Sequence, residues 1–235
     1  MPEWTNCVPP KSSEFTIRRI RDFHPPQGSY MKLHWSPRSP FVRKLMICSH
    51  EIGVAERMTC VRSPVEMTKP NADVLRDNPL GTIPALVLDD GTVLFDSRVI
   101  CEYLDTLHNG ARMFPTHSAQ RWIALRRQAL GDGMLDASLI WRFERAKPEN
   151  MKTHELMAAY ALKINTALAA LETEAGALAA SAFSIGHIAI GVALSYLDFR
   201  FADLAWRKGH PQLAAWHKEF EQRPSVVKVE VIDDS

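Results

Sequence analysis

From Ser184 to Leu204 the chain is apolar nearly all round, with Ile188, Ile190, Val192, Leu194, Tyr196, Leu197 and Phe199 leaving no continuous polar stripe. A helix of this kind has no face to give to water, so other elements must wrap it. Candidates for the wrapping follow the same helical period. Residues about 118–146 read as one long helix. Residues about 150–175 read as another, with Met157, Tyr160, Ile164, Leu168 and Leu171 stepping by three or four. A last helix, about 211–222, ends at Arg223-Pro224. The second half of the chain is therefore expected to be an all-helical bundle built around 184–204.

The pattern upstream is different. Met31–Ser36 alternates, with Leu33 and Trp35 on one face, as a half-buried strand does. Ser39 is a good N-cap, Pro40 suits the first helical position, and Phe41, Leu45, Cys48 and Ile52 recur at helical spacing until Gly53. Glu56–Val61 reads as a second strand, and Asn71–Asn78 as a short irregular connector. Ala85–Leu88 and Thr92–Phe95, joined by Asp89-Asp90-Gly91, form a hairpin. Asp96-Ser97 caps a helix carrying Val99, Ile100, Tyr103, Leu104 and Leu107. The order β-α-β, connector, β-β-α is that of a thioredoxin-like α/β domain. The expected division is an N-terminal extension over 1–30, an α/β domain over 31–112 and a helical domain over 113–235. Met31 stands just before the first strand and is an alternative start.

Charge excludes some partners. The chain has 28 Lys+Arg against 27 Asp+Glu, and residues 31–115 and 116–235 balance separately (10 against 10, 14 against 14). No field of either sign exists to grip nucleic acid or an anionic membrane. No run approaches the ~18 apolar residues of a membrane span. The four cysteines, Cys7, Cys48, Cys60 and Cys101, form no C-x-x-C or metal-type pair, which fits a reducing cytoplasm. No metal site is expected.

Four stretches carry a family resemblance: Ser36-Pro37-Arg38-Ser39-Pro40-Phe41-Val42-Arg43-Lys44, Asn78-Pro79-Leu80-Gly81-Thr82-Ile83-Pro84, Asp96-Ser97 at a helix start, and Phe220-Glu221-Gln222-Arg223-Pro224-Ser225. In this order and spacing the chain resembles the glutathione S-transferase superfamily over essentially 31–235. It is most similar to bacterial members whose first helix begins Ser-Pro-Phe or Ser-Pro-Tyr. The resemblance implies a thioredoxin-like domain followed by a helical bundle, glutathione as co-substrate, and a homodimer acting in detoxification.

It also implies site residues. Ser39 would hold the glutathione thiolate, at a helix start whose free N–H groups and dipole favour negative charge. A free thiol of pKa ~8.5 is mostly protonated at pH 7, and lowering it by ~2 units takes about 2.7 kcal/mol. Ser39 as a plain N-cap is the structural alternative, and Ser36 is the rival hydroxyl, with Pro37 between them expected to keep the chain extended. A serine here excludes the mixed-disulfide chemistry of members with cysteine at this position, so the expected reaction is attack on an electrophilic carbon. Pro84 matches the cis-proline of the fold, leaving the Ile83 backbone to pair with glutathione. Ser97 would take the γ-glutamyl carboxylate, Asp96 the ammonium, and Lys69 the glycine carboxylate. The hydrophobic electrophile is expected between the domains against the long helix, with Trp122, Arg126, Met134 and Trp141 as candidate lining.

One position departs from the family pattern. The buried helix usually opens with Ser or Thr followed three residues later by Asp, whereas here Ser184 is followed by His187. A weaker or altered capping box is expected, stapled by Phe183 and Ile188, with His187 structural. A glutathione-binding module without turnover is the alternative function. A glutathione-dependent reductase would need Cys48 or Cys101, both on core faces.

Overall fold

The structure, a computed structural model, describes residues 31–233. The expected extension 1–30 lies outside them. Strand β1 (Met31–Trp35) leads into helix α1 (Pro40–Glu51), which returns the chain to β2 (Met58–Arg62), parallel to β1. Helix α2 (Ala72–Asp77) replaces the irregular connector, because the Asn71 side chain accepts from the Asp73 and Val74 amides and caps it. Strands β3 (Ala85–Val87) and β4 (Val93–Leu94) form the hairpin, and α3 (Ser97–Asp105) closes the unit. The sheet order is β2-β1-β3-β4, with β3 antiparallel to both neighbours. This is the expected mixed, helix-covered thioredoxin-like sheet.

The chain then becomes helical: α4 (Ser118–Arg145), α5 (His154–Ala180), α6 (Ile185–Arg200), α7 (Pro211–Glu221) and the short α8 (Pro224–Val227). Helix α6 is buried along Ile185–Leu197, as its composition demands. It stops short of Leu204: two 3₁₀ turns follow, joined at Ala205, whose φ of 44° is left-handed. Helix α4 lies tightly on α6, since a Cβ added to Gly131 would stand 2.5 Å from the Ala189 carbonyl carbon.

Of the two forms expected for the cap of α6, weaker or altered, the structure has the altered one. The capping box is complete: the Ser184 side chain takes the His187 amide, and the His187 Nδ1 accepts from the Ser184 amide at 3.1 Å. An imidazole nitrogen accepts as a carboxylate would, provided Nε2 carries the proton. Leu178 O lies 3.0 Å from Nε2 and accepts its hydrogen bond. Burial pushes the His187 pKa down to about 4, so the ring is neutral and this tautomer is available.

Charged side chains join the α/β unit to the bundle. Lys44 of α1 and Asp132 of α4 are both fully buried and meet at 2.7 Å. The second Asp132 oxygen accepts from Arg98 Nε of α3 at 2.9 Å. The connecting segment is held by buried Asp105, which accepts from the Met113 and Phe114 amides at 2.8 and 3.0 Å.

Candidate functional site

The register of the sheet brings the expected site residues to one edge. Leu33 pairs with Leu86 and Leu86 with Leu94, so the C-terminal ends of β1 and β4 lie beside the N-terminal end of β3. Ser36–Ser39, Ile83-Pro84 and Asp96-Ser97 all leave the sheet at that edge. The loop carrying Lys69 starts there too, because Arg62 at the end of β2 pairs with Trp35.

Ser39 is the N-cap of α1. Its Oγ accepts from the Val42 amide at 3.4 Å, a long bond that leaves its own O–H to donate elsewhere. The expected extension between Ser36 and Ser39 is corrected: Pro37 and Arg38 form a tight turn, closed by Ser39 N–H donating to Ser36 O at 3.2 Å. Proline at the second position of such a turn supplies the φ it needs. Ser36 is 2% exposed, and its Oγ has no hydrogen-bond partner among the described residues.

The Ile83–Pro84 bond is cis. The ladder to β1 begins only at Ala85, so the Ile83 N–H and C=O stay outside it, while the Ile83 side chain is buried against Val42 and Val74. Asp96 caps α3 by accepting from the Arg98 amide at 2.9 Å and is exposed; Ser97 is buried at the first helical position. Lys69 is exposed.

A small cavity of about 10 Å³ adjoins Ser39, lined by Pro37, Arg38, Pro40, Arg43, Val192, Tyr196 and Val231. Its walls are thus the start of α1, one face of α6 and the C-terminal tail. None of the four side chains expected to line an electrophile pocket is among them. Met134 and Trp141 are buried, Trp141 packing on Phe201 with centroids 4.8 Å apart. Arg126 pairs with Glu174 of α5 at 2.6 Å, and Trp122 is 68% exposed on α4. The electrophile was expected between the domains against the long α4, and Val192 and Tyr196 carried no sequence signal for it, since residues of a helix apolar all round read as core.

Arg43 is mostly buried, and burial lowers its guanidinium pKa to about 10, against the raising effect of Glu221. Burial raises the Tyr196 hydroxyl above the usual range, opposed by Arg142 and Arg200. Cys48 and Cys101 are fully buried on facing sides of α1 and α3. Contact with Cys101 and burial push the Cys48 thiol up, away from the reactive thiolate form. Elsewhere, Asp198, His217 and Glu221 bring possible ligand atoms within 4.8 Å of one another. The Arg207 guanidinium sits among them, 2.6 Å from Asp198 and 3.0 Å from His217 Nδ1, so a cation already fills that cluster. Among the described residues no helix is long and apolar enough to cross a membrane.

Comparison with known proteins agrees with this architecture. Residues 38–107 match the family model "Glutathione S-transferase, N-terminal domain" and residues 155–219 match "Glutathione S-transferase, C-terminal domain". The uncharacterized GST-like protein YibF of Escherichia coli (strain K12) is 32% identical over 204 residues, covering 85% of this chain and 98% of that protein. A glutathione transferase family member from Pseudomonas fluorescens Pf-5, solved with bound glutathione, is 43% identical with a TM-score of 0.84, over 86% of this chain and all of that one. The same target was solved with bound S-(propanoic acid)-glutathione, matching at 42% identity and a TM-score of 0.80 over the same share of this chain and all of that one. With both family models in order on a thioredoxin-like sheet and a helical bundle, the chain belongs to the glutathione S-transferase superfamily.

Proposed function

We propose that this protein is a glutathione transferase that binds glutathione along the sheet edge and holds its sulfur as thiolate at Ser39 for attack on an electrophilic carbon. The observation carrying this reading is the convergence of three different chain segments on one edge: the α1 N-cap Ser39, the cis Ile83–Pro84 whose Ile83 backbone is unpaired among the described residues, and the α3 start at Asp96-Ser97. Each supplies what one part of a γ-glutamyl tripeptide requires. Ser39 O–H and the Phe41 N–H, left over because Pro40 has none and Val42 donates to Ser39, are the donors for an anion, Ile83 offers one N–H and one C=O to the cysteinyl unit, and the α3 start with Ser97 and Asp96 takes the γ-glutamyl end. Lys69 is assigned to the glycine carboxylate. The Pseudomonas relative, which holds glutathione, supports the reading at 43% identity.

The reaction needs little else from the protein. A donor to sulfur and a helix N-terminus lower the thiol pKa, and a neighbouring pocket holds the electrophile at attacking distance. We assign that pocket to the cavity of Val192, Tyr196 and Arg43 rather than to α4. A cytoplasmic homodimer serving detoxification completes the proposal.

Retention on immobilised glutathione, followed by turnover of a panel of electrophiles, tests it. Retention and turnover that both fall in Ser39→Ala are expected to be recovered in the wild type only. Retention without turnover of any electrophile would move the protein to the binding-module reading, and failure to bind glutathione at all would end both.

A further inference from the structure

The geometry points to an electrophile that carries a carboxylate, gripped by Arg43 and Arg200, a grip that Asp233 of the chain's own C-terminal tail holds until substrate displaces it. This rests on the proposed glutathione site and names the class of second substrate it takes.

The cavity beside Ser39 has two cationic residues in its lining, Arg38 and Arg43. Arg43 lines it directly, and Tyr196, one helical turn before Arg200 on α6, lines it too. Arg142 and Arg200 both act on the Tyr196 hydroxyl. Arg43 Nη1, on a residue that lines the cavity, and Arg200 Nε, one turn beyond the lining Tyr196, are buried with no hydrogen-bond partner among the described residues. Buried donors of this kind are costly to leave unpaired.

The tail shows which chemistry fits. Val229 O accepts from Arg43 Nε at 3.0 Å, Val231 lines the cavity, and the Asp233 carboxylate receives the Arg200 fork at 2.6 and 3.1 Å. A carboxylate taking two parallel N–H bonds is the arrangement a guanidinium binds best. The space left, about 10 Å³, holds no more than one water, so an electrophile must displace the tail. The Asp233 side chain is 40% exposed, so the pair is open to solvent on the tail side.

A paired guanidinium also answers a chemical need. An α,β-unsaturated carboxylate is a sluggish acceptor because its negative charge feeds the alkene and repels a thiolate. Guanidinium pairing draws that charge away and stabilises the extra charge that develops as the thiolate adds. The C–S bond forms at the β-carbon and the π pair moves to the α-carbon and the carboxyl group. The α-carbon then takes a proton, replacing the one the thiol gave up. The balance is thiol plus alkene to thioether, with no oxidant or reductant.

Calorimetric titration of the full chain with glutathione, S-(2-carboxyethyl)glutathione and its neutral isostere S-(2-carbamoylethyl)glutathione tests this without requiring turnover. The carboxylate conjugate is expected to bind about tenfold more tightly than the amide. Arg200→Gln should erase most of that preference while glutathione itself binds as before, Arg43→Gln should erase most of it too, and Asp233→Asn should tighten both conjugates several-fold, because both must displace the tail. Equal binding of the two conjugates, or a preference that survives both arginine variants, overturns the inference and leaves the glutathione site standing. No binding of any of the three overturns the glutathione reading and the inference with it.

Discussion

Lys44 and Asp132 meet at 2.7 Å with neither side chain exposed to solvent, one on the helix that carries Ser39 and the other on the long helix of the bundle. Because the second Asp132 oxygen also takes Arg98, the aspartate serves two cations and the lysine serves one anion. The consequences of breaking the cluster are therefore unequal.

Asp132→Ala strands a buried ammonium and should destabilise the protein by about 3–5 kcal/mol, whereas Lys44→Met leaves Asp132 with Arg98 and should cost less. The double variant Lys44→Met/Asp132→Leu removes both buried charges and should recover much of the Asp132→Ala loss. Urea unfolding of the three variants checks the order. Equal losses in the two single variants would contradict the unequal sharing.

Ser39→Ala should lower kcat/KM by roughly ten- to hundredfold, the worth of a hydrogen bond to a charged group, and move the acid limb of the pH–rate profile to higher pH. It also removes a helix cap worth ~1 kcal/mol. Ser39→Asp keeps the cap but offers no donor to sulfur, so it should fold like wild type and be as inactive as the alanine variant. Ser36→Ala should retain most activity. A normal pH profile in Ser39→Ala with collapse in Ser36→Ala would transfer the role to Ser36.

Acid should weaken the fold through two buried histidines. Burial, with Arg127 and Arg223 nearby, lowers His187 to about 4. Burial, with Arg207 and Arg43, lowers His217 to about 3. Unfolded, both titrate near 6.5. The unfolded chain therefore binds protons that the native chain refuses, so stability is full above about pH 6.5 and declines as pH falls toward the folded values. Between pH 7 and pH 4 each histidine contributes roughly 3 kcal/mol to the decline, and His217 continues to contribute below pH 4. Denaturant midpoints between pH 7 and pH 4 measure it. His187→Asn should flatten the slope, and an unchanged slope would exclude His187 as a source.

Gly131→Ala should be among the most damaging single-carbon additions, because the new Cβ meets Ala189 and Ile190 backbone atoms at 2.5–2.7 Å and backbone has nowhere to go. A loss of about 2 kcal/mol or more is expected. Gly133→Ala, two residues on with nothing within 4 Å, should be neutral or slightly stabilising by helix propensity. Thermal melts of the pair compare them directly.

Much of the architecture was legible before any coordinates, because period and punctuation report which face an element buries. Pro40 after Ser39, the Asp90-Gly91 turn and the apolar wall of 184–204 led to the right elements in the right order. Local chemistry that depends on one or two side chains was less legible. Asn71 made a helix of a segment read as irregular, and the Ser39–Ser36 bond made a turn of one read as extended. At His187 an acceptor nitrogen completed a box expected to be weaker or altered, in the altered form.

What the sequence determined by itself is the set of elements and the identity of the sulfur-side candidates, since caps, cis-prone proline and helix starts are local features with local signatures. Tertiary structure alone decided which distant side chains meet. Lys44 looks like a surface lysine until Asp132, far along the chain, arrives to neutralise it. Tyr196 and Val192 read as core until α6 is seen to pass beside Ser39, and Asp233 has no evident role until it closes on Arg200. Such contacts carry no local pattern, because each residue's partner is set by how the helices pack and not by its neighbours in sequence.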